Sequence, residues 1–265
     1  MSRAPVSAVV TTLDNGATLA RCLASVAWCE ERVVLDSGSG DDTVAIAQRH
    51  GARVQVRPFA GYGPQKQAAI DLASHDWVLL LDADEFLTAA GRDAIERELA
   101  SPRAHGYRLP RSEYLFWRWP HRATRPNWQL RLFHRSRGRM NTVPVHAAPE
   151  VEGAVADLQA PFRHYGEPDL ATRVGKINAY SSGLVAHKRA RRPRAVALRM
   201  LLYPGFAFVR MYVGKRYFLN GWAGFIAART HAFYAFLKYA KLYEALRREH
   251  GGEHGGDRDG DPDAG

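Results

Sequence analysis

The chain has 265 residues, 46% of them hydrophobic and 24% charged, with a formal net charge of +10. That length holds one large domain or a domain with an appendage. Two cysteines, Cys22 and Cys29, exclude a disulfide framework and a cysteine-based metal cluster, and they suit a reducing compartment. The opening residues 1–5 lead directly into a strand-like run without an apolar leader, which predicts a cytosolic protein.

Residues 6–13 read as a first strand, and 17–26 as a helix with Leu19 and Leu23 inward. Residues 32–35 form a second strand that ends in Asp36-Ser37-Gly38-Ser39-Gly40-Asp41-Asp42-Thr43, followed by a helix to about His50. A third short strand covers 53–56, Gly61 and Gly63 mark a loop, and 64–73 read as a helix. Strands alternating with helices at this spacing predict βαβ units in a right-handed parallel sheet. There is no G-x-G-x-x-G and no P-loop sequence, which argues against a dinucleotide enzyme or a P-loop ATPase.

Trp77-Val78-Leu79-Leu80-Leu81-Asp82-Ala83-Asp84-Glu85-Phe86 is the decisive stretch. An apolar run too short for a helix suits a strand covered on both faces. It stops at three carboxylates in four positions. In open α/β sheets ligands bind beyond the carboxyl ends of the strands, where these acids fall. Asp82 and Asp84 are placed to share a divalent cation such as Mg2+, which takes few protein carboxylates and completes its shell with water and phosphate. The plainer reading is a solvated loop capping a helix over 88–100.

After Pro102 the pattern changes. Residues 106–109, 128–133 and 143–146 read as shorter strands around an aromatic and basic loop at 114–120. Ten arginines and one acid, Glu113, lie between Arg103 and Arg139. From Asp169 onward the reading is helical, and 251–265 form a polar, disordered tail. The predicted organisation is a Rossmann-like nucleotide-binding half at 1–102, a mixed half of shorter strands at 103–167, a basic helical extension at 168–250 and the tail. Residues 187–250 carry fourteen Lys/Arg against two acids, Glu244 and Glu249. Arg199, Pro204 and Arg210 interrupt the apolar run 195–213, so no spanning helix is expected there. Cations interleaved with aromatics over 217–243 predict an interfacial segment on an anionic membrane, with Trp222, Phe225, Phe233 and Phe236 inserting. Nucleic acid is a disfavoured partner, because no nucleic-acid motif is present.

The Thr11-Thr12 pair, Asp36-Ser37-Gly38-Ser39 and Asp82-Ala83-Asp84-Glu85, in that order, resemble glycosyltransferase family 2. Gly61-Tyr62-Gly63-Pro64-Gln65-Lys66-Gln67 and Gln129-Leu130-Arg131-Leu132-Phe133-His134-Arg135 resemble its bacterial subgroup that includes lipopolysaccharide core β-1,4-glucosyltransferases. The resemblance covers about residues 6–245. It implies an α/β GT-A fold, a Rossmann-like, mostly parallel sheet sandwiched by helices, here with a helical membrane-associating extension. It also implies inverting transfer of a hexose, glucose by the subgroup, from a UDP-sugar to a lipopolysaccharide-core or other lipid-linked glycan. Such an enzyme works at the cytoplasmic face of the inner membrane. By the same resemblance Asp36 accepts a hydrogen bond from uracil, and Thr11, Asp14 and Ser37 line the base and ribose. Asp84 holds Mg2+ or Mn2+ against the donor diphosphate, Asp82 contacts ribose or metal, and Lys66 adds charge near the phosphates. His164 is a second-choice metal ligand.

The chain departs from the family pattern at Asp14-Asn15, where Asn-Glu is common, at Asn127, often an acid, and at Ala147, where Glu commonly follows His. An inverting transfer needs a general base within reach of the acceptor hydroxyl. The remaining candidates are Glu85, Glu113, His146 and Glu150, with Glu85 first because it follows the metal motif. The rival readings are transfer to a polyprenyl phosphate and a catalytically impaired membrane- or RNA-binding protein on the same fold. A nucleotidyltransferase is disfavoured by the missing glycine-rich basic loop after the first strand.

Overall fold

The computed structural model describes residues 3–142, 147–167, 169–190 and 194–252. The chain divides into two compact units, Met1–Pro168 and Asp169–Gly265.

The first unit is built on one nine-stranded sheet. In chain order it runs β1 (Val6–Thr12), α1 (Gly16–Ser25), β2 (Glu31–Asp36), α2 (Thr43–Arg49), β3 (Arg53–Val56), α3 (Tyr62–Asp71), β4 (Trp77–Asp82), β5 (Glu85–Leu87) and α4 (Ala89–Leu99). There follow β6 (Gly106–Glu113), β7 (Asn127–His134), β8 (Gly138–Met140), β9 (Pro149–Val151), β10 (Val155–Asp157) and β11 (Phe162–His164). The sheet order is β3-β2-β1-β4-β7-β6-β11-β5, with β10 beside β6, while β8 and β9 form a separate pair. Strands β3, β2, β1 and β4 are mutually parallel. β7 runs antiparallel to both β4 and β6, and β5 runs antiparallel to β11. The first four strands are parallel because each return passes through a helix, the only short route that preserves direction.

The acidic stretch is not one strand. It breaks after Asp82, turns through Ala83 and Asp84, and re-emerges as β5 at the far edge of the sheet. Val6, Ala8, Val10, Leu79 and Leu81 pack with Leu19 and Leu23 of α1 and Ile95 and Leu99 of α4. On the other face Val9, Val33, Leu35, Val78 and Leu80 pack with Ala69 and Ile70 of α3. Burial on both faces is why the strand sequences are continuous apolar runs rather than alternating ones. Thr88 caps α4, its hydroxyl accepting from the Gly91 amide at 3.0 Å. Of the expected strand at 143–146, His146 included, nothing is described.

The second unit is helical: α5 (Leu170–Gly183), α6 (Val185–Ala190), α7 (Val196–Val209) and α8 (Gly221–Gly252). Of the segment expected as a tail, Gly251 and Gly252 belong to α8, and 253–265 lie outside the described residues. Lys241 of α8 ties α5 down by donating to the Asn178 carbonyl at 2.7 Å and to Ser182 Oγ at 2.7 Å. Gly224 is required where the turn ending at Asn220 meets α8, because a Cβ there would stand 1.9 Å from the Tyr217 carbonyl oxygen.

Over 195–213 the interruptions read from the sequence do not end the helix. The helix passes through Pro204 and continues as a π turn over Arg210–Gly214. Val196–Gly214 is thus 19 residues, long and apolar enough to cross a membrane by length and composition. One proline removes a single amide from the ladder, and a helix packed along its length tolerates that loss. Phe225 also differs from expectation, being half-buried and edge-on to Phe208, Tyr212 and Trp222.

Candidate active site

The carboxyl ends of β1, β2 and β4 form one rim. Thr11 stands beside Asp82 in the β1–β4 ladder, and Thr12 stands beside Asp36 in the β1–β2 ladder. The buried Asp36 carboxylate accepts from the Gly38 and Ser39 amides, each at 2.8 Å, and from the Ser39 hydroxyl. Asp14, at φ 51°, accepts from the Gly40 amide at 2.8 Å and donates its own amide to Ser39 Oγ at 2.9 Å. Asp14 and Asp36 therefore fix the loop 37–40 from two sides. Ser37 is reached by Gln65 Nε2 of α3 at 3.2 Å.

The acids after β4 lie in a chain of alternating charge. Lys66 Nζ of α3 is 2.5 Å from Asp82 Oδ1, and Arg131 Nη2 is 3.5 Å from Asp82 Oδ2. Arg131, only 4% exposed, also bonds Glu85 Oε1 at 2.5 Å. Glu85 is 1% exposed, and its other oxygen accepts the Asp82 amide at 3.0 Å. Arg111 Nη1 approaches Glu85 at 3.8 Å and also bonds Glu113. The chain closes through His164, whose Nε2 is 3.2 Å from Asp84 Oδ2 and whose Nδ1 is 3.9 Å from Glu113 Oε1.

Electrostatics follow from these neighbours. Burial pushes the Glu85 carboxyl up, opposed by Arg131. Partial burial also penalises ionised Asp82, but Lys66 and Arg131 overcome it and hold that carboxylate well below its ordinary value. Burial lowers His164, yet its hydrogen bond to Asp84 prevails and leaves the imidazole above its usual pKa.

Residues 7–147 match the family model described as glycosyl transferase family 2. The lipopolysaccharide core biosynthesis glycosyltransferase LpsC of Rhizobium meliloti is 33% identical over 252 residues, 91% of this chain and 92% of its own. The chain belongs to glycosyltransferase family 2.

An uncharacterised glycosyltransferase of Rickettsia felis is 31% identical over 91% of this chain and 90% of its own length. Among solved structures, glucosyl-3-phosphoglycerate synthase from Mycobacterium tuberculosis, with Mn2+, UDP and phosphoglyceric acid, aligns at a TM-score of 0.36. It is 24% identical over 41% of this chain and 43% of its own. By its family and its mostly parallel, helix-covered sheet this chain is a glycosyltransferase of the GT-A fold, related over most of its length to the lipopolysaccharide core enzyme of Rhizobium.

The residues at the rim fit a divalent cation of the magnesium type. Among the described residues no three His, Cys, Asp or Glu side chains converge as a closed metal cage. A cation that relies on one or two carboxylates and draws the rest of its shell from water and diphosphate does not need one. Asp82 and Asp84 remain partly accessible, at 32% and 25%, and the buried His164 Nδ1 makes no hydrogen bond.

The structure brings together Thr11, Asp36 and Asp82 at the strand ends, Asp14, Ser37 and Asp84 in the connections after β1, β2 and β4, Lys66 from α3, and Glu85, Glu113 and His164 on the β6–β11–β5 strip. Glu150 is on β9 in the separate two-stranded pair, exposed and reached by Asn141 Nδ2 at 3.3 Å. His146 lies outside the described residues. Sequence reasoning missed Arg131 and Arg111. The signal for Arg131 was a charge set between Leu130 and the Leu132-Phe133 pair within β7.

Proposed function

We propose that this enzyme is a metal-dependent, inverting hexosyltransferase that moves glucose from UDP-glucose to a hydroxyl of a lipopolysaccharide-core or other lipid-linked glycan. The observation that carries the reading is the meeting of Asp82, Asp84, Lys66 and His164 at the ends of β1, β2 and β4. The Rhizobium relative, similar over nearly the full length of both chains, supports a core glycan as acceptor. The work site is the cytoplasmic face of the inner membrane, with the basic second unit attached peripherally to anionic lipid.

In this reading Asp36 and the loop it anchors receive the uracil, and Thr11, Asp14 and Ser37 line the base and ribose. Asp84 and Asp82 hold Mg2+ or Mn2+, with His164 orienting Asp84 or completing the ligand set. The chemistry such a cation would supply when bound is Lewis-acid neutralisation of the charge on the leaving diphosphate. Lys66 adds a second positive charge there. Glu113 is the general base in place of Glu85, because both Glu85 oxygens are engaged and its carboxyl is sealed from solvent. Glu113 takes the acceptor proton as that oxygen attacks the anomeric carbon, and the bond from that carbon to the diphosphate oxygen breaks. UDP departs.

The test is thermal-shift screening with UDP, GDP, CDP and dTDP sugars, with and without metal. Ligand binding to the native state raises the melting temperature, and UDP with metal is expected to do so. Asp84→Asn should lose metal-dependent transfer by roughly a hundredfold or more while melting normally. Turnover near wild type in that variant would overturn the metal assignment. Product found on a polyprenyl phosphate rather than a core sugar would change the acceptor.

A further inference from the structure

The packing of α7 is inverted relative to a water-facing helix. Val196, Met200, Tyr203 and Ala207, spaced four, three and four apart, form its inner face toward Tyr239 and Leu242 of α8. The opposite face carries Leu198, Leu201, Leu202, Gly205, Phe206 and Val209, all exposed, with Leu201 at 75%. A surface helix normally turns charge toward water on that side. Here the outward side is a continuous apolar ridge, extended by Val213, by Trp222 at 75% exposure and, across a shallow groove, by Phe233 and Phe236. Ridges of this size mark a contact surface.

The flanks name the occupant. No Asp or Glu occurs between Asp169 and Glu244, whereas Arg199 and Arg210 flank the ridge on α7. From α8, Lys238 Nζ sits 4.9 Å from the Tyr203 ring centre and Arg229 Cζ sits 5.6 Å from that of Phe208. A second copy would bring like charges against these cations. Anionic headgroups above a hydrocarbon layer complement both the cations and the ridge.

We infer that α7 inserts into one leaflet of an anionic membrane lying flat, with its ridge among the acyl chains and Arg199, Arg210, Arg229 and Lys238 at the phosphates. Its length would allow it to cross. However, Arg229 and Lys238 contact the middle of α7 rather than its ends, so a crossing orientation would carry both into the bilayer centre, where charge is costly. This deepens the membrane-face reading proposed above and is independent of the donor chemistry.

The test uses the full-length protein and vesicles of phosphatidylethanolamine with phosphatidylglycerol, or of phosphatidylcholine alone, across a salt series. The wild type is expected to keep a salt-resistant fraction on the anionic vesicles. Leu201→Asp combined with Phe206→Asp should lower high-salt binding at least tenfold while low-salt binding and the circular dichroism melt persist. Unchanged high-salt binding in that variant overturns the insertion. A wild-type dimer that the variant dissolves, without a change on vesicles, assigns the ridge to self-association and also overturns it. Absence of vesicle binding at every salt removes the membrane-face reading altogether. Because Cys22 and Cys29 are buried, fluorophores on Leu198→Cys, Leu202→Cys and Val209→Cys report depth by brominated-lipid quenching. Equal depth is expected, and a steady gradient across the three sites would mean that the helix crosses.

Discussion

Glu85 and Glu113 are both carboxylates close to Asp82 and Asp84, yet their surroundings give them opposite capacities. Glu85 accepts the Asp82 amide and an Arg131 guanidinium in near-complete burial, so it holds the turn that aims Asp82. Glu113 keeps a 23% exposed side chain beside His164 and Arg111. Glu113→Gln is expected to lower kcat by roughly a hundredfold or more with UDP binding retained, the scale of a lost general base. Steady-state kinetics beside calorimetric UDP titration checks this, and an unchanged kcat would remove Glu113 from the chemistry. Asp82 and Asp84 were legible in the sequence because an apolar strand that stops at carboxylates is a local pattern. The burial of Glu85 was not legible, because it depends on Arg131, distant in the chain and brought near only by sheet pairing. The same reason hid the His164 contact with Asp84.

Individual elements are held together by ionic clasps whose strength is measurable. Arg131 on β7 is the counter-charge for Glu85 at the start of β5, and its guanidinium lies 5.1 Å from the Phe162 ring centre of β11. Arg131→Met strands a buried carboxylate and should cost about 3–5 kcal/mol in urea unfolding, whereas adding Glu85→Leu should recover part of that loss. Additive losses in the double variant would show that the two groups do not act as a pair. At the opposite rim, Glu31 of β2 accepts from Ser7 Oγ of β1 at 2.5 Å, the Ser74 amide at 2.7 Å and Arg53 of β3 at 2.8 Å. Burial penalises this carboxylate, but those bonds prevail and lower its pKa from 4.5 to about 2. A depressed carboxylate stabilises the fold fully above its unfolded pKa, and that contribution fades as pH falls from 4.5 toward 2. Glu31→Gln should therefore remove on the order of 2 kcal/mol near neutrality, after allowance for solvent screening, and flatten the acid limb of the stability curve. Parallel acid limbs for the two proteins would contradict the clasp. The elements themselves were legible wherever hydrophobic period and turn residues agreed. The break between β4 and β5 was not, since Ala83 and Asp84 carry no glycine or proline to announce a turn.

At the scale of the whole molecule, a unit with acids at the rim of its sheet is followed by a helical unit whose sequence has no acid between Asp169 and Glu244. That charge pattern was plain in the sequence. The continuity of α7 through Pro204 and the outward direction of its leucines were not, because composition does not say which face of a helix packs. The pairing of β5 with β11 also has a consequence for how the protein is made. A ribosome delivers β5 with Glu85 and Asp84 long before it delivers Arg131 and then His164, their partners in the finished fold. At about 5–20 residues per second, the interval between residues 85 and 164 lasts roughly 4–16 s. During that time the nascent chain has its parallel strands β1 to β4 but lacks β11, which joins β5 to the sheet, and until residue 131 it also lacks the cation that neutralises Glu85. The rim is thus completed from the late end of the first unit, and a nascent chain stalled before Phe162 holds Asp82 and Asp84 without the histidine that meets Asp84.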